Sequence, residues 1–232
     1  MTSILTRLKM AYFSLTNPKK YRLSEHNRAL KILNDYGWQR SKAEYAAIDK
    51  DGQPIPWITY PAIEYLNQIN LQDKRILEWG SGNSSQYFAT RCNEIYSIEH
   101  NKEWFDSLQK NLLQNQKLFL STLENYATFP SSLGLKFDII IIDGMLRKEC
   151  VDASFDLIEQ GGMILLDNSE RYPDMCETIR NKSYFQIDFH GFGPINEYTS
   201  VTSIFISSDS IGKFQPLTVQ PRRPIGGDVI KD

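Results

Sequence analysis

Cysteine is scarce. Cys92, Cys150 and Cys176 are the only three in 232 residues. An odd number at wide spacing makes neither a disulfide framework nor a zinc-ligand pattern. No apolar run approaches the roughly 20 residues that span a bilayer. The first residues lack an apolar core followed by a small-residue cleavage site, which a secretory signal requires. A reducing, cytoplasmic setting is therefore the expectation. There is no internal repeat. The interleaving of aromatic and basic residues that marks RNA binders is missing too, so no nucleic-acid partner is expected. What is present is an ordinary globular composition, 41% hydrophobic and 12% aromatic. Its length suits a single domain with a full central sheet.

Charge is nearly balanced overall but unevenly placed. Residues 1–42 carry nine Lys/Arg against two acids (Glu25, Asp35), a net of +7, while the remainder carries 17 against 26, a net of −9. Ile4, Leu8, Tyr12 and Leu15 share one helical face in this basic stretch. Two readings stay open: a solvated amphipathic helix packed on an acidic body, or a surface that meets an anionic membrane or partner.

Hydrophobic periodicity organises the rest. Asn17-Pro18 is expected to end the first helix, and a second to cover 24–36 up to Gly37. A loop from Ile48 to Pro56, turning at Asp51-Gly52, leads into a helix over 57–67. Strands are expected near 75–79, 95–99, 117–121, 138–143 and 162–167, and helices near 84–91, 102–114, 149–159 and 173–181. Ile139-Ile140-Ile141-Ile142 is continuously apolar, as a strand covered on both faces must be. Alternating strands and helices predict an α/β fold with a mostly parallel sheet and helices on both faces. Two further strands, 184–189 and 201–207, have no clear helix between them. The expected organisation is a basic helical extension (1–56), a ligand-binding domain (57–210) and a Pro/Gly-rich tail (211–232) that is extended or partly disordered.

The most informative stretch is Arg75-Ile-Leu-Glu-Trp-Gly-Ser-Gly-Asn-Ser-Ser85. It reads as a strand, an acid, a glycine turn and a helix start. A second strand follows and ends in Glu99, 19 residues after Gly80. Such a unit suits a nucleoside ligand. Glycine lets the backbone approach, the helix start offers free N–H groups, and the acid accepts from ribose hydroxyls. A dinucleotide fingerprint would need a third glycine where Ser85 stands. Instead Glu78-x-Gly80-x-Gly82-x-Ser84 resembles the E/D-x-G-x-G-x-G motif of class I S-adenosylmethionine-dependent methyltransferases, with Ser84 in place of the last glycine. Four segments together resemble a less-characterised group of those enzymes: Gly80-Ser-Gly-Asn-Ser-Ser85, Ser97-Ile-Glu-His100, Ile142-Asp-Gly-Met-Leu-Arg147 and Leu166-Asp-Asn-Ser-Glu-Arg171.

The resemblance extends over about residues 57–207. It implies a Rossmann-like seven-stranded sheet closed by an antiparallel C-terminal pair, and S-adenosylmethionine as cofactor. Glu78, Gly80, Ser81, Gly82, Ser84, Glu99 and Asp143 would form the cofactor site, with His100 beside the adenine. Glu124-Asn125-Tyr126 stands where the adenine amine is often contacted. Asp143 and Asp167 end neighbouring strands and are the candidate catalytic acids, either one serving as general base. With Asn168 they also resemble the Mg²⁺ site of catechol-type O-methyltransferases, in which the metal would lower the pKa of a bound hydroxyl. Metal dependence does not follow from the motifs. Without a metal, Arg147 and Arg171 could bind an anionic substrate group or pair with these same acids. His190 and Tyr198 could line the substrate pocket. The expected activity is methyl transfer, with oxygen of a small molecule or sugar favoured by the acidic rim. A nicotinamide-dependent oxidoreductase and a degenerate methyltransferase-fold binding module are the rivals.

Overall fold

A computed structural model describes residues 4–217 and Ile225. The expected tail therefore lies mostly outside the described residues. Eight α-helices occur among them: α1 (Ile4–Thr16), α2 (Pro18–Asp35), α3 (Trp38–Glu44), α4 (Tyr60–Leu66), α5 (Asn83–Ala89), α6 (Lys102–Leu108), α7 (Arg147–Leu157) and α8 (Pro173–Arg180). The strands are β1 (Arg75–Trp79), β2 (Glu94–Glu99), β3 (Gln116–Leu120), β4 (Phe137–Ile142), β5 (Ile158–Asp167), β6 (Phe185–Phe192) and β7 (Thr199–Ile206). They form one seven-stranded sheet in the order β3-β2-β1-β4-β5-β7-β6. β1 to β5 are parallel neighbours, and β7 runs antiparallel between β5 and β6. No described helix is long and apolar enough to cross a membrane.

Strand pleating divides the core. Ile76, Ile95, Ile139, Ile141, Met163, Leu165 and Ile204 face one side, where α4, α5 and the segment before them pack. Leu77, Trp79, Ile98, Ile140, Ile142, Ile164, Leu166 and Phe205 face the other, against α7 and α8. Neighbouring residues alternate between the two faces, as the period of two requires. Burial on both sides explains the isoleucine run of β4.

The chain order reverses between β1 and β4: from β1 it runs outward to β3, then crosses back to β4. Parallel α/β sheets open a crevice at such a reversal, beyond the strands' C-terminal ends. Glu78, Glu99, Asp143 and Asp167 stand at the C-terminal ends of β1, β2, β4 and β5.

Several local expectations are corrected. Pro18 does not merely end α1; it starts α2 six residues earlier than expected, because the first helical turn needs no proline N–H. α3 was not expected. Gly37, at φ +92°, allows the sharp entry into it, and a Cβ there would lie 2.4 Å from the Asp49 carbonyl carbon. α4 begins at Tyr60 rather than 57. α6 stops at Leu108, and Gln109–Asn111 continues as a 3₁₀ turn. β5 starts at Ile158, and a register shift between Phe137 and Ile139 on its partner β4 accommodates the extra residues. β6 reaches Phe192, which takes His190 out of the expected loop. Ala47, Ile55 and Ile58 belong to the core. At the far end Pro216 bridges Ile69, and the Lys213 ammonium lies 3.2 Å from Asp138.

Candidate active site

The glycine turn after β1 is shaped by Gly80, whose φ of +111° disfavours any side chain. Its backbone runs beside Gly144, the turn residue after β4. Gly144 is the more demanding position: a Cβ there would lie 2.1 Å from the Tyr126 hydroxyl and 2.9 Å from the Trp79 carbonyl. The two turns thus pack backbone to backbone across the sheet reversal and leave a cavity of about 580 Å³ above them. That volume falls within the roughly 300–1,000 Å³ of small-molecule sites. Glu78, Gly80, Ser81, Ser84, Glu99, His100, Trp104, Tyr126, Asp143, Gly144 and Arg147 are among its lining residues.

The two acids of the β1–β2 side are held by neutral donors. Glu78 is buried and accepts from the hydroxyls of Ser84, Ser85 and Ser97. Burial pushes its carboxyl up, and the serine hydrogen bonds oppose this. Ser85 occupies the place of the third glycine of a dinucleotide motif, and its hydroxyl is committed to Glu78. Ser84, which replaces the methyltransferase glycine, is committed to the same carboxylate. Glu99 is buried as well. It accepts from the Ser81 hydroxyl at 2.6 Å and from the backbone N–H groups of His100 and Asn101 at 2.8 and 2.7 Å. His100 Nδ1 lies 3.2 Å from the same carboxylate, and the imidazole sits edge-on to Tyr126 at 5.9 Å.

The β4–β5 side is built differently. Arg147, in the first turn of α7, folds back over the strand ends. Its Nη2 donates to the Asp143 carboxylate at 2.9 Å, its Nε to the Gly144 carbonyl at 3.1 Å, and its Nη1 to the Asp167 carbonyl. Each guanidinium nitrogen therefore has a partner within the rim, and the plane lies 5.3 Å from the Tyr172 ring. Asp167 is buried and accepts from the Thr202 hydroxyl at 2.7 Å, which in turn accepts from the Thr59 N–H at 3.0 Å. Burial raises Asp167 to a pKa of about 6, against the Thr202 hydrogen bond and the Arg147 charge. Asp143 is also raised well above the ordinary carboxylate range, by burial and then by the Asp167 charge, with Arg147 opposing.

Two smaller chambers adjoin the main cavity. One, of about 340 Å³, has aromatic walls from Tyr45, Trp57 and Trp104. The other, of about 270 Å³, is polar, lined by Trp57, Asp143, Asp167, Asn168, Asn196 and Tyr198. Asp143 lines all three. Trp57 is fixed by its Nε1 donating to Asn196 Oδ1 at 3.1 Å, and Trp104 by its Nε1 donating to the Ser81 carbonyl at 2.9 Å.

The crevice thus brings together Glu78, Gly80, Ser81, Gly82, Ser84, Glu99, His100, Asp143, Arg147, Asp167, Asn168 and Tyr198. It leaves others aside. Glu124 and Asn125 are exposed on the turn after β3, and the next residue, Tyr126, is the one that lines the cavity, held by Trp79 Nε1 donating to its carbonyl at 3.0 Å. His190 is exposed on β6 opposite Val201 and lines none of the chambers. Arg171 is exposed, 3.5 Å from Glu170. Tyr45, Trp57 and Trp104 were not foreseen. Of these, Trp104 was the most accessible to sequence reasoning, since it stands in the first turn of the helix that follows Glu99.

Comparison with solved structures agrees with this geometry. The chain superposes on a precorrin-6y C5,15-methyltransferase from Geobacter metallireducens with TM-score 0.53 and 17% identity, covering 72% of this chain and 96% of that one. A Staphylococcus aureus protein assigned as a caffeoyl-CoA O-methyltransferase gives 0.52 and 16%, covering 82% and 99%. An rRNA methylase from Streptococcus thermophilus gives 0.51 and 11%, covering 66% and 100%. The fold is the class I methyltransferase-like Rossmann fold. No protein-family model matches the chain, and no curated protein matches it by sequence. At these identities the likeness establishes the fold alone, because one fold serves many chemistries.

The residues fit a nucleoside cofactor: two turns without side chains, a carboxylate at the end of β2 and a cavity of suitable size. They do not fit a divalent cation as arranged. Arg147 already neutralises Asp143, Asp167 is engaged by Thr202, and among the described residues no group of three or more His, Cys, Asp or Glu side chains is placed to hold a metal. The reading of Asp143, Asp167 and Asn168 as Mg²⁺ ligands is accordingly not carried into the chemistry below.

Proposed function

We propose that this chain is an S-adenosylmethionine-dependent methyltransferase acting on an oxygen of a small-molecule or sugar acceptor. The four motif segments resembling the less-characterised methyltransferase group all contribute to the crevice or its rim, which supports the reading. The observation that carries it is the cavity at the β1/β4 reversal, walled by Gly80, Glu99 and Asp143.

Bound there, the cofactor supplies an electrophilic sulfonium methyl group. The chain's own contribution is orientation and proton handling. Glu99 is pre-positioned by Ser81 and two backbone N–H groups, and its remaining lone pairs are the acceptors for ribose hydroxyls. Gly80 and Gly144 admit the ligand to the strand ends. The excess of carboxylates over cations in the lining suits a positively charged cofactor. Asp143 borders all three chambers, so a hydroxyl held in the polar or aromatic chamber can reach both it and the cofactor cavity. Its proton affinity, raised by burial and by Asp167, makes it the proton acceptor, and Arg147 keeps the carboxylate oriented.

The oxidoreductase reading is disfavoured by Ser84 and Ser85, whose hydroxyls fill the turn in hydrogen bonds to Glu78. Calorimetric titration with S-adenosylhomocysteine and with NAD⁺ tests the proposal. Saturable binding of S-adenosylhomocysteine alone is expected, weakened by about 10- to 100-fold in Glu99→Ala through loss of charged hydrogen bonds. Binding of NAD⁺ alone, or of neither ligand by folded protein, refutes it.

A further inference from the structure

α1 and α2 present apolar and basic surface with no counterpart in the described fold. Leu8, Tyr12 and Leu15 recur at i, i+4 and i+7 on α1, so they form one stripe. They are 62%, 70% and 82% exposed, and Leu23 on α2 is 62% exposed. Residues 4–34 hold seven Lys/Arg against one acid, a net of +6. Lys9, Lys19, Lys20, Arg22, Arg28 and Lys31 are exposed, and among the described residues none is ion-paired. From α2 the chain continues through α3 into the Tyr45 and Trp57 wall of the aromatic chamber.

From this arrangement we infer that the α1–α2 segment docks on an anionic lipid surface. The charge decides between possible occupants. A second copy of the segment would bring the same +6 against it. A nucleic acid would satisfy the cations but leave the leucine stripe in water. An anionic bilayer interface satisfies both, because it takes up apolar side chains at the headgroup boundary and attracts nearby Lys and Arg. The segment lies on the interface rather than across it.

Co-sedimentation of the full chain with vesicles of mixed phosphatidylglycerol and phosphatidylcholine tests this, with pure phosphatidylcholine vesicles as control. Binding is expected to the anionic vesicles at low salt, to fall as salt rises, and to be negligible on the neutral ones. Leu8→Glu/Leu15→Glu and Lys19→Glu/Lys20→Glu should each weaken it roughly tenfold or more, with helical circular dichroism and S-adenosylhomocysteine affinity unchanged. Three results would overturn the inference. One is no binding at low salt. Another is binding that neither double variant weakens. The third is a dimer by light scattering that Leu8→Glu/Leu15→Glu dissociates, which assigns the stripe to a second copy. Because the readout is lipid binding, failure of the methyltransferase proposal leaves this test intact.

Discussion

Four acids stand at the ends of four neighbouring strands, yet the two halves of the rim treat them in opposite ways. On the β1–β2 side, Glu78 and Glu99 are wrapped by four serine hydroxyls and two backbone N–H groups, all neutral donors fixed by the fold. On the β4–β5 side, Arg147 donates to the Asp143 carboxylate and to the Asp167 backbone carbonyl, and the Asp167 carboxylate accepts from the Thr202 hydroxyl. Neutral donors fix a carboxylate in place as a hydrogen-bond acceptor. Burial raises the proton affinity of both aspartates, and the Asp167 charge adds to this at Asp143. Under the proposed function, the first half would cradle the ligand and the second would take up and release protons. The division matches a reaction in which one molecule is held and another loses a proton.

The largest expected effect comes from breaking the proton-handling half. Asp143→Asn should lower turnover on an acceptor found by screening about 10²- to 10⁴-fold, while S-adenosylhomocysteine affinity moves far less. An equal fall in both would make Asp143 a binding residue only. Next is the cradle itself. Glu78→Ala removes the acceptor of three serine hydroxyls and should cost about 2–4 kcal/mol in urea unfolding. Glu78→Gln keeps one acceptor oxygen and should cost less than half of that. If the two variants match, the serine network contributes nothing to stability.

Smaller still is Gly144→Ala. Its methyl group must displace the Tyr126 hydroxyl or the β1 end, an overpacking cost of about 1–3 kcal/mol, read by thermal unfolding. A neutral outcome would mean that the two turns are not in contact. The smallest effect sharpens the contrast through pH. Asp167 has a folded pKa of about 6, above the roughly 3.9 of an unfolded aspartate. Between these values the folded state binds more protons than the unfolded one. Stability from this group therefore falls as pH rises through that window and is level above it. Asp167→Asn should remove that slope from a plot of Tm against pH. A Tm profile identical to wild type would place Asp167 at an ordinary pKa.

Much of this was legible in the sequence, for reasons that differ by element. The isoleucine run of β4 and the strand–helix alternation are local patterns with fixed periods, so they revealed the sheet before any contact was known. The Gly80–Ser85 turn and Glu99 were legible because a turn and a strand end are defined within a few residues. The Glu124–Tyr126 turn was legible, but that Tyr126 is its cavity-facing residue depends on what packs behind it, here Trp79. His190 was misplaced because the length of an antiparallel pair is set by its partner strand rather than by its own residues. Trp57 and Tyr45 were hidden for a related reason: they reach the site from outside the recognisable motif, through packing of residues 36–58 on the sheet.

By itself, then, the chain's sequence determined the order of strands and helices, the glycine turn and the positions of the acids at strand ends. Each of these rests on interactions between near neighbours. Only the tertiary structure decided that Arg147 would close on Asp143, that Gly144 would meet Tyr126, and that Ser84 and Ser85 would both serve Glu78. Those outcomes depend on how separate segments converge at the reversal between β1 and β4, where distance in space bears no relation to distance along the chain.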